Sequence, residues 1–287
     1  MSIQVYEVGA FVKQGGGGNP AGVVLNAEQL SANVRQQIAA ELAFSETAFA
    51  ARSASGTLRL EYYTPNRQID ICGHATVATF SMLRNLGQVE AGPHRFDTQI
   101  GSQEVEVRPE SVGLWQRELR SELLLRAQLI APVSQALGLS ADDLLGELRI
   151  ASNGSAFLML ELATSERLRS VQPVQAQIAQ ISEQLDLVGF YLFVRREHGV
   201  VETRMFAPRY AIPEESATGM AAGALALAHR ELARDNLLLV EQGHLMPVSS
   251  PALLRVEIHA DQRALVSGQA QLRRSLQLET AGLLTPE

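Results

Sequence analysis

Two segments lying roughly 142 to 144 residues apart share one pattern, and that pattern limits the fold more than any other feature. In the first, a strand ends in Tyr63-Thr64-Pro65, a loop runs to Ile71-Cys72-Gly73-His74, and an apolar helix follows over 75–86. In the second, a strand ends in Phe206-Ala207-Pro208, a loop carries Glu214-Glu215-Ser216-Ala217-Thr218-Gly219, and an Ala-rich helix is expected over 217–233. A helix that is apolar on every side must be covered on every side. Each unit therefore calls for a sheet curled around its own helix, which makes the fold α+β with two similar domains. The 287 residues suit two domains. The boundaries read as 1–115 and 116–287, with the last strands able to return towards the first domain. A ligand is expected between the halves, where the two helix N-termini converge.

Around these units, period-2 alternation predicts strands over 3–8, 46–51, 58–63, 94–98 and 103–108, and a short apolar strand over 21–25. The strands at 46–51 and 58–63 read as a pair joined by a turn at Ser55-Gly56. Ser31 is placed to cap a helix with Val34, Ile38 and Leu42 on one face. The acidic, mixed stretch 121–146 reads as a connector with short helices. Further strands are expected over 156–162, 189–195, 201–206, 254–259, 264–268 and near Leu276, with an amphipathic helix over 174–185. The glycine run Gly15–Gly18 reads as a loop, with a lid as one use. No Gly-Lys-Ser/Thr follows it, so it is not a phosphate loop.

Charge and composition exclude several functions. With 31 acids against 24 bases the net charge is −7, which disfavours nucleic acid and anionic membranes as partners. One cysteine, Cys72, rules out an internal disulfide, and the six His include no pair at helical ligand spacing, so no metal site is expected. The first residues lack a basic and an apolar region, and no stretch is long enough to span a bilayer. A cytoplasmic protein is the expectation.

Four segments taken in order resemble the phenazine-biosynthesis-like isomerases of the diaminopimelate-epimerase-like fold. They are Gly18-Asn19-Pro20-Ala21-Gly22, Ser45-Glu46-Thr47-Ala48-Phe49, Ile71-Cys72-Gly73-His74-Ala75-Thr76 and Glu214-Glu215-Ser216-Ala217-Thr218-Gly219. The resemblance implies proton shuttling on a small, anionic metabolite without a cofactor, in a homodimer. It makes Glu46 the catalytic carboxylate and assigns substrate binding to Asn19, Gly73, His74, Glu215, Gly219 and Met220. Glu215 stands where the family usually has Asp, Met220 where it usually has Ser, and Ser216 where Pro is common. These departures imply a less polar or differently shaped substrate.

The chemistry is consistent with those assignments. A carboxylate between Phe44 and Phe49 is in an apolar setting that raises its pKa towards the working pH of a carbon acid–base catalyst. The alternative is a surface Glu on a strand edge. His74 at a helix N-terminus should stay neutral and polarise a carbonyl, or else serve as a capping core histidine. Glu215 is either a protonated donor or an acid that favours the helix dipole. Cys72 is a possible alternative base, with Ser216 as its counterpart in a lyase or dehydratase, or a buried small hydrophobe. A catalytically inactive small-molecule-binding protein is the remaining alternative.

Overall fold

Val5 faces Val24 on one neighbouring strand and Leu276 on the other, so the N-terminal strand is sandwiched between an early partner and a very late one. That pairing sets the division of the chain. In the computed structural model, which describes residues 2–53, 56–116, 120–124 and 126–279 (Arg126 by its backbone alone), the chain forms two units. One holds the residues up to Trp115 and those from Ser267 onward; the other holds 116–266. The last strand, which pairs along its length with the first, groups with the first unit.

In the first unit, β1 (Ser2–Ala10) lies antiparallel to β2 (Asn19–Val24). Gly18 makes the entry to β2 possible: its φ is +77°, and a Cβ there would sit 2.4 Å from the Ala10 carbonyl oxygen. Then α1 (Ala32–Leu42) begins at Ser31, whose hydroxyl accepts from the Val34 N–H at 3.3 Å. The helix buries Val34, Ile38 and Ala39 against Ile3, Val5, Val24, Phe49 and Tyr63. Next come β3 (Thr47–Arg52), parallel to β2, and β4 (Leu58–Tyr63), antiparallel to β3. Of the turn between them, Gly56 is described and Ser55 lies outside the described residues. The short β5 (Gln68–Ile69) pairs with β4 and leads into α2 (Gly73–Asn85). Every residue of α2 from Gly73 to Leu83 is buried, as the apolar pattern requires. Phe80 packs against Phe96 with the ring centroids 5.3 Å apart and the planes tilted by 59°. The meander β6 (Gly92–Thr98), β7 (Gly101–Val107) and β8 (Val112–Gln116) follows.

The second unit begins with β9 (Arg120–Leu123), α3 (Arg126–Leu137), β10 (Leu144–Ser152) and β11 (Ala156–Leu162). The stretch 121–146, read as a connector with short helices, holds α3 but also most of β9 and the start of β10. The signal failed because β9 is exposed at all four positions and carries no alternation. After α4 (Ser165–Ser170) and α5 (Gln175–Gln184) come β12 (Gly189–Arg196), parallel to β11, and β13 (Val200–Ala207), antiparallel to β12. The core between these strands and the helices holds Leu158, Leu160, Ile178, Phe190, Leu192 and Phe206. The chain then forms β14 (Ile212–Glu215), α6 (Gly219–Ala228), β15 (Leu237–Gln242), β16 (Ala252–Ile258) and β17 (Ala264–Gly268) before β18 (Ala270–Glu279) rejoins the first unit.

From Gly219 to Leu227 α6 is buried on all sides, yet it is shorter at both ends than the expected 217–233. Ala217 and Thr218 lie ahead of it, and it stops at His229, where Arg230 and Glu231 make continued burial too costly. Gly223 lets this helix approach its neighbours: a Cβ there would meet Gln116 Oε1 at 1.8 Å. Among the described residues, no helix is long and apolar enough to cross a membrane.

Candidate active site

The first unit gathers Asn19, Ser45, Glu46, Cys72 and His74 from three separate stretches of chain. Asn19 opens β2, Ser45 and Glu46 immediately precede β3, and Cys72 and His74 flank the start of α2. The parallel pairing of β2 with β3 brings the first two stretches together, and the Glu46 carbonyl accepts from the Gly22 N–H at 3.1 Å.

The His74 ring is buried, with 3% of its surface exposed. Its Nδ1 lies 3.2 Å from Asn19 Nδ2 and 3.4 Å from Cys72 Sγ. Its Nε2 lies 3.5 Å from Ser45 Oγ and 3.3 Å from Glu46 Oε2. With the Asn19 amide donating to Nδ1, the neutral ring keeps its proton on Nε2, facing Glu46. Burial lowers the imidazole pKa to about 3, so the ring is uncharged at neutral pH.

Glu46 is buried too, at 6% exposure. Its Oε2 makes no hydrogen bond, because His74 Nε2 is near but not aligned with it. Burial raises the carboxyl pKa to about 7, against a lesser, lowering effect of a Ser45 hydrogen bond. A carboxyl held near neutrality with one unpartnered oxygen is suited to taking and returning a proton.

Gly73 and His74 belong to the first turn of α2, and their N–H groups lie ahead of its first helical hydrogen bond, from Thr76 N–H to the Cys72 carbonyl. Such a helix start favours a carboxylate. The start is fixed from beneath. The Thr76 hydroxyl donates to the Cys72 carbonyl at 2.7 Å and lies 2.6 Å from the Tyr62 hydroxyl, which is itself buried.

In the second unit, Glu215 ends β14 and is buried at 7% exposure. Thr218, the residue before α6, donates its hydroxyl to Glu215 Oε2 at 2.5 Å. Gln242 holds both. Its Nε2 donates to the Glu215 carbonyl at 2.8 Å and to Thr218 Oγ1 at 3.0 Å, and its Oε1 accepts from the Thr218 N–H and the Tyr191 hydroxyl. The preceding Glu214 is engaged elsewhere, in a buried two-point pair with Arg204 at 2.8 Å on each arm. At the first turn of α6, Gln116 donates to the Gly219 carbonyl at 3.0 Å and Asn153 to the Met220 carbonyl at 2.9 Å. Ser216 is buried beside the chain turn at Gly243.

The residues expected from sequence thus fall into two groups. Asn19, Glu46, Cys72, Gly73 and His74 meet in the first unit, while Glu215, Ser216, Gly219 and Met220 share a loop and helix start in the second. Sequence reading missed Gln242, Gln116 and Asn153. Each lies at or beside a strand end without a motif around it, and only its distant partners mark it. Against the expectation of no metal site, ligand atoms of Glu46, Cys72 and His74 all lie within 4.8 Å of one another.

A sequence model of the family described as phenazine biosynthesis-like protein matches residues 8–275. The uncharacterized isomerase YddE of Salmonella typhimurium is 35% identical over 85% of this chain and 86% of its own. The solved structure of a PhzF-family phenazine biosynthesis protein from Enterococcus faecalis has a TM-score of 0.80 at 27% identity, covering 97% of this chain and 100% of that one. A PhzF-family protein from Bacillus anthracis shares the fold at a TM-score of 0.85 and 22% identity, over 97% of this chain and 99% of that one. The chain belongs to the phenazine biosynthesis-like protein family, among relatives named as isomerases.

Proposed function

We propose that the protein is an isomerase that moves a proton between two atoms of a small carboxylate-bearing metabolite, with Glu46 as the acid–base group and no cofactor. The observation that carries this reading is the buried Glu46 carboxyl, whose Oε2 has no hydrogen-bond partner and faces a neutral His74 at 3.3 Å. The ionised carboxylate takes a proton from substrate carbon and becomes a carboxylic acid. The electron pair left behind spreads into an adjoining unsaturated group. The carboxylic acid, whose proton exchanges with solvent while the anion is held, then protonates a different atom of that anion, so no proton is consumed overall. The His74 Nε2–H is suited to stabilising the charge that develops, and the N–H groups at the start of α2 are suited to a substrate carboxylate. Glu215, Gly219 and Met220 are assigned to substrate recognition within the same reading.

Deuterium uptake by mass spectrometry tests it. A panel of small carboxylic and amino acids is incubated with the protein in heavy water, comparing wild type with Glu46→Gln and Cys72→Ala. Uptake that Glu46→Gln abolishes, and that Cys72→Ala largely retains, supports the reading. Loss in Cys72→Ala with retention in Glu46→Gln makes Cys72 the base. No uptake from the panel, with a panel member still raising the melting temperature, points to a binding protein.

A further inference from the structure

The glycine run Gly15–Gly18 leads straight into Asn19, whose amide meets His74 Nδ1 at 3.2 Å, and residues at the far end of the chain hold that run in place. Lys13 and Gly16 close its turn, each carbonyl accepting from the other residue's N–H. Two ties then fix its arms. The Val12 N–H donates to the Gln269 carbonyl at 3.1 Å, and Arg273 Nη2 donates to the Gly17 carbonyl at 2.6 Å. The second is a short, charge-assisted bond.

Three features aim Arg273 at that carbonyl. A bulge in β18 comes first: Glu7 pairs with Arg274 and Val8 with Leu272, so Arg273 is the extra residue outside the ladder register. Bulges turn a side chain away from the direction the regular pleat would give it. Next, Gly9 leaves the path across β1 open. A Cβ there would stand 2.9 Å from Arg273 Nε and 3.2 Å from the Gly17 oxygen. Last, the Glu7 carboxylate lies 3.6 Å from Arg273 Nη1 and 2.5 Å from Arg274 Nε, which anchors both arginines to β1.

We propose that Arg273 is a positioning residue for the isomerase reaction: by clasping the Gly17 carbonyl it holds Asn19 against His74 Nδ1, and so keeps the ring proton on Nε2, facing Glu46. Asn19 forms the last pair of the β1–β2 ladder, opposite Ala10. Beyond that pair the backbone passes into glycines with φ of +77° at Gly18 and +64° at Gly17. Glycines leave a chain many conformations, and the arginine removes that freedom two residues from Asn19. If Asn19 drifts, Nδ1 loses its donor. A proton on Nδ1 then becomes accessible, with Cys72 Sγ 3.4 Å away to accept it. That tautomer withdraws the Nε2–H from the charge that develops on the substrate. The effect on rate rests on the isomerase reading, whereas the hold on the tautomer does not.

The test reads tautomer and rate separately. The whole protein is prepared with isotope-labelled histidine, and proton–nitrogen NMR at neutral pH shows which His74 nitrogen is protonated, with His74→Gln used only to assign the signals. Wild type should hold the proton on Nε2. Arg273→Met keeps the stem, and should give a mixture of tautomers. It should also lose about 10–100-fold in kcat for a panel acid that exchanges deuterium, with KM nearly unchanged, because Arg273 acts through Asn19 and not on substrate. Arg273→Lys still offers a cationic donor and should recover most of both. Gly9→Ala pushes the guanidinium aside and should mimic Arg273→Met, which keeps the test open if the latter fails to fold. Combining the two should cost no more than the worse one alone. A wild-type proton on Nδ1 overturns the proposal, as does an unchanged tautomer in folded Arg273→Met or Gly9→Ala, even where rate or melting temperature falls. A shifted tautomer with unchanged kcat overturns the part of Arg273 in the reaction. A shifted tautomer with no panel acid exchanging in wild type upholds the hold on His74 and sinks the isomerase reading.

Discussion

His74 Nε2 lies 3.3 Å from Glu46 Oε2 without a hydrogen bond between them, and both groups are more than nine-tenths buried. Burial acts on the two in opposite directions, raising the carboxyl pKa and lowering that of the imidazole, so that both favour their neutral forms. The pair is thereby held short of becoming an ion pair. The carboxyl keeps a usable proton site near neutral pH instead of surrendering it to a histidinium.

Replacing Glu46 by Gln keeps the shape and removes the base. Deuterium exchange into a responsive substrate should fall by about 10²–10⁴-fold, the usual contribution of a positioned acid–base group. The melting temperature should hold or rise, since a costly buried acid is gone. Rate and thermal stability measured on the same preparation check both halves.

The Glu46 carboxyl also makes stability depend on pH, with a definite sign. Its pKa is about 7 in the fold against an ordinary value of 4.5, so the folded chain binds this proton more tightly than the unfolded chain does. Stability from this group is complete below pH 4.5 and declines as pH rises through about 7. His74 acts oppositely, because a pKa lowered from 6.5 to about 3 costs stability as pH falls between those values. Across pH 4 to 9, Glu46→Gln should gain melting temperature relative to wild type as pH rises from about 4.5 to 7, giving the variant a different slope there and a parallel curve above. An unchanged slope in the variant would remove Glu46 as a source of the pH dependence.

Gln242 is fully buried and ties the Glu215 carbonyl, Thr218 and Tyr191 together. Changing it to Leu fills the space but leaves several of these groups without partners, at about 1–3 kcal/mol each. A marked drop in the denaturant midpoint is expected. Gln242→Glu keeps the acceptor but loses the two donated bonds, and should fall between Leu and wild type.

Gly223→Ala places a Cβ 1.8 Å from Gln116 Oε1, so α6 or Gln116 must move. A loss of about 1–3 kcal/mol is expected from such overpacking. The double variant Gly223→Ala/Gln116→Ala should recover part of it. Equal losses in the single and double variants would show that the collision lies elsewhere, as with Val266 Cγ2 at 3.0 Å.

Residue type and local order determined much of this protein. A run after Gly73 with Ala, Val, Phe, Met and Leu on nearly every side calls for a helix covered all round, and Ser31 ahead of Val34 and Ile38 marks where a helix must begin. The motifs carrying Asn19, Glu46, Cys72 and His74 were visible because each sits at a punctuated element boundary. Where local signals are lacking the sequence is silent: β9 is exposed along its length, and the strand near Leu276, though legible, carries nothing that sets its register against β1. Tertiary structure alone decided what the site residues can do. Burial, not sequence position, raises the Glu46 pKa, leaves its Oε2 without a partner and keeps His74 neutral. The same holds for Gln242, whose partners lie 24 to 51 residues away and whose role exists only where the folded chain has excluded water.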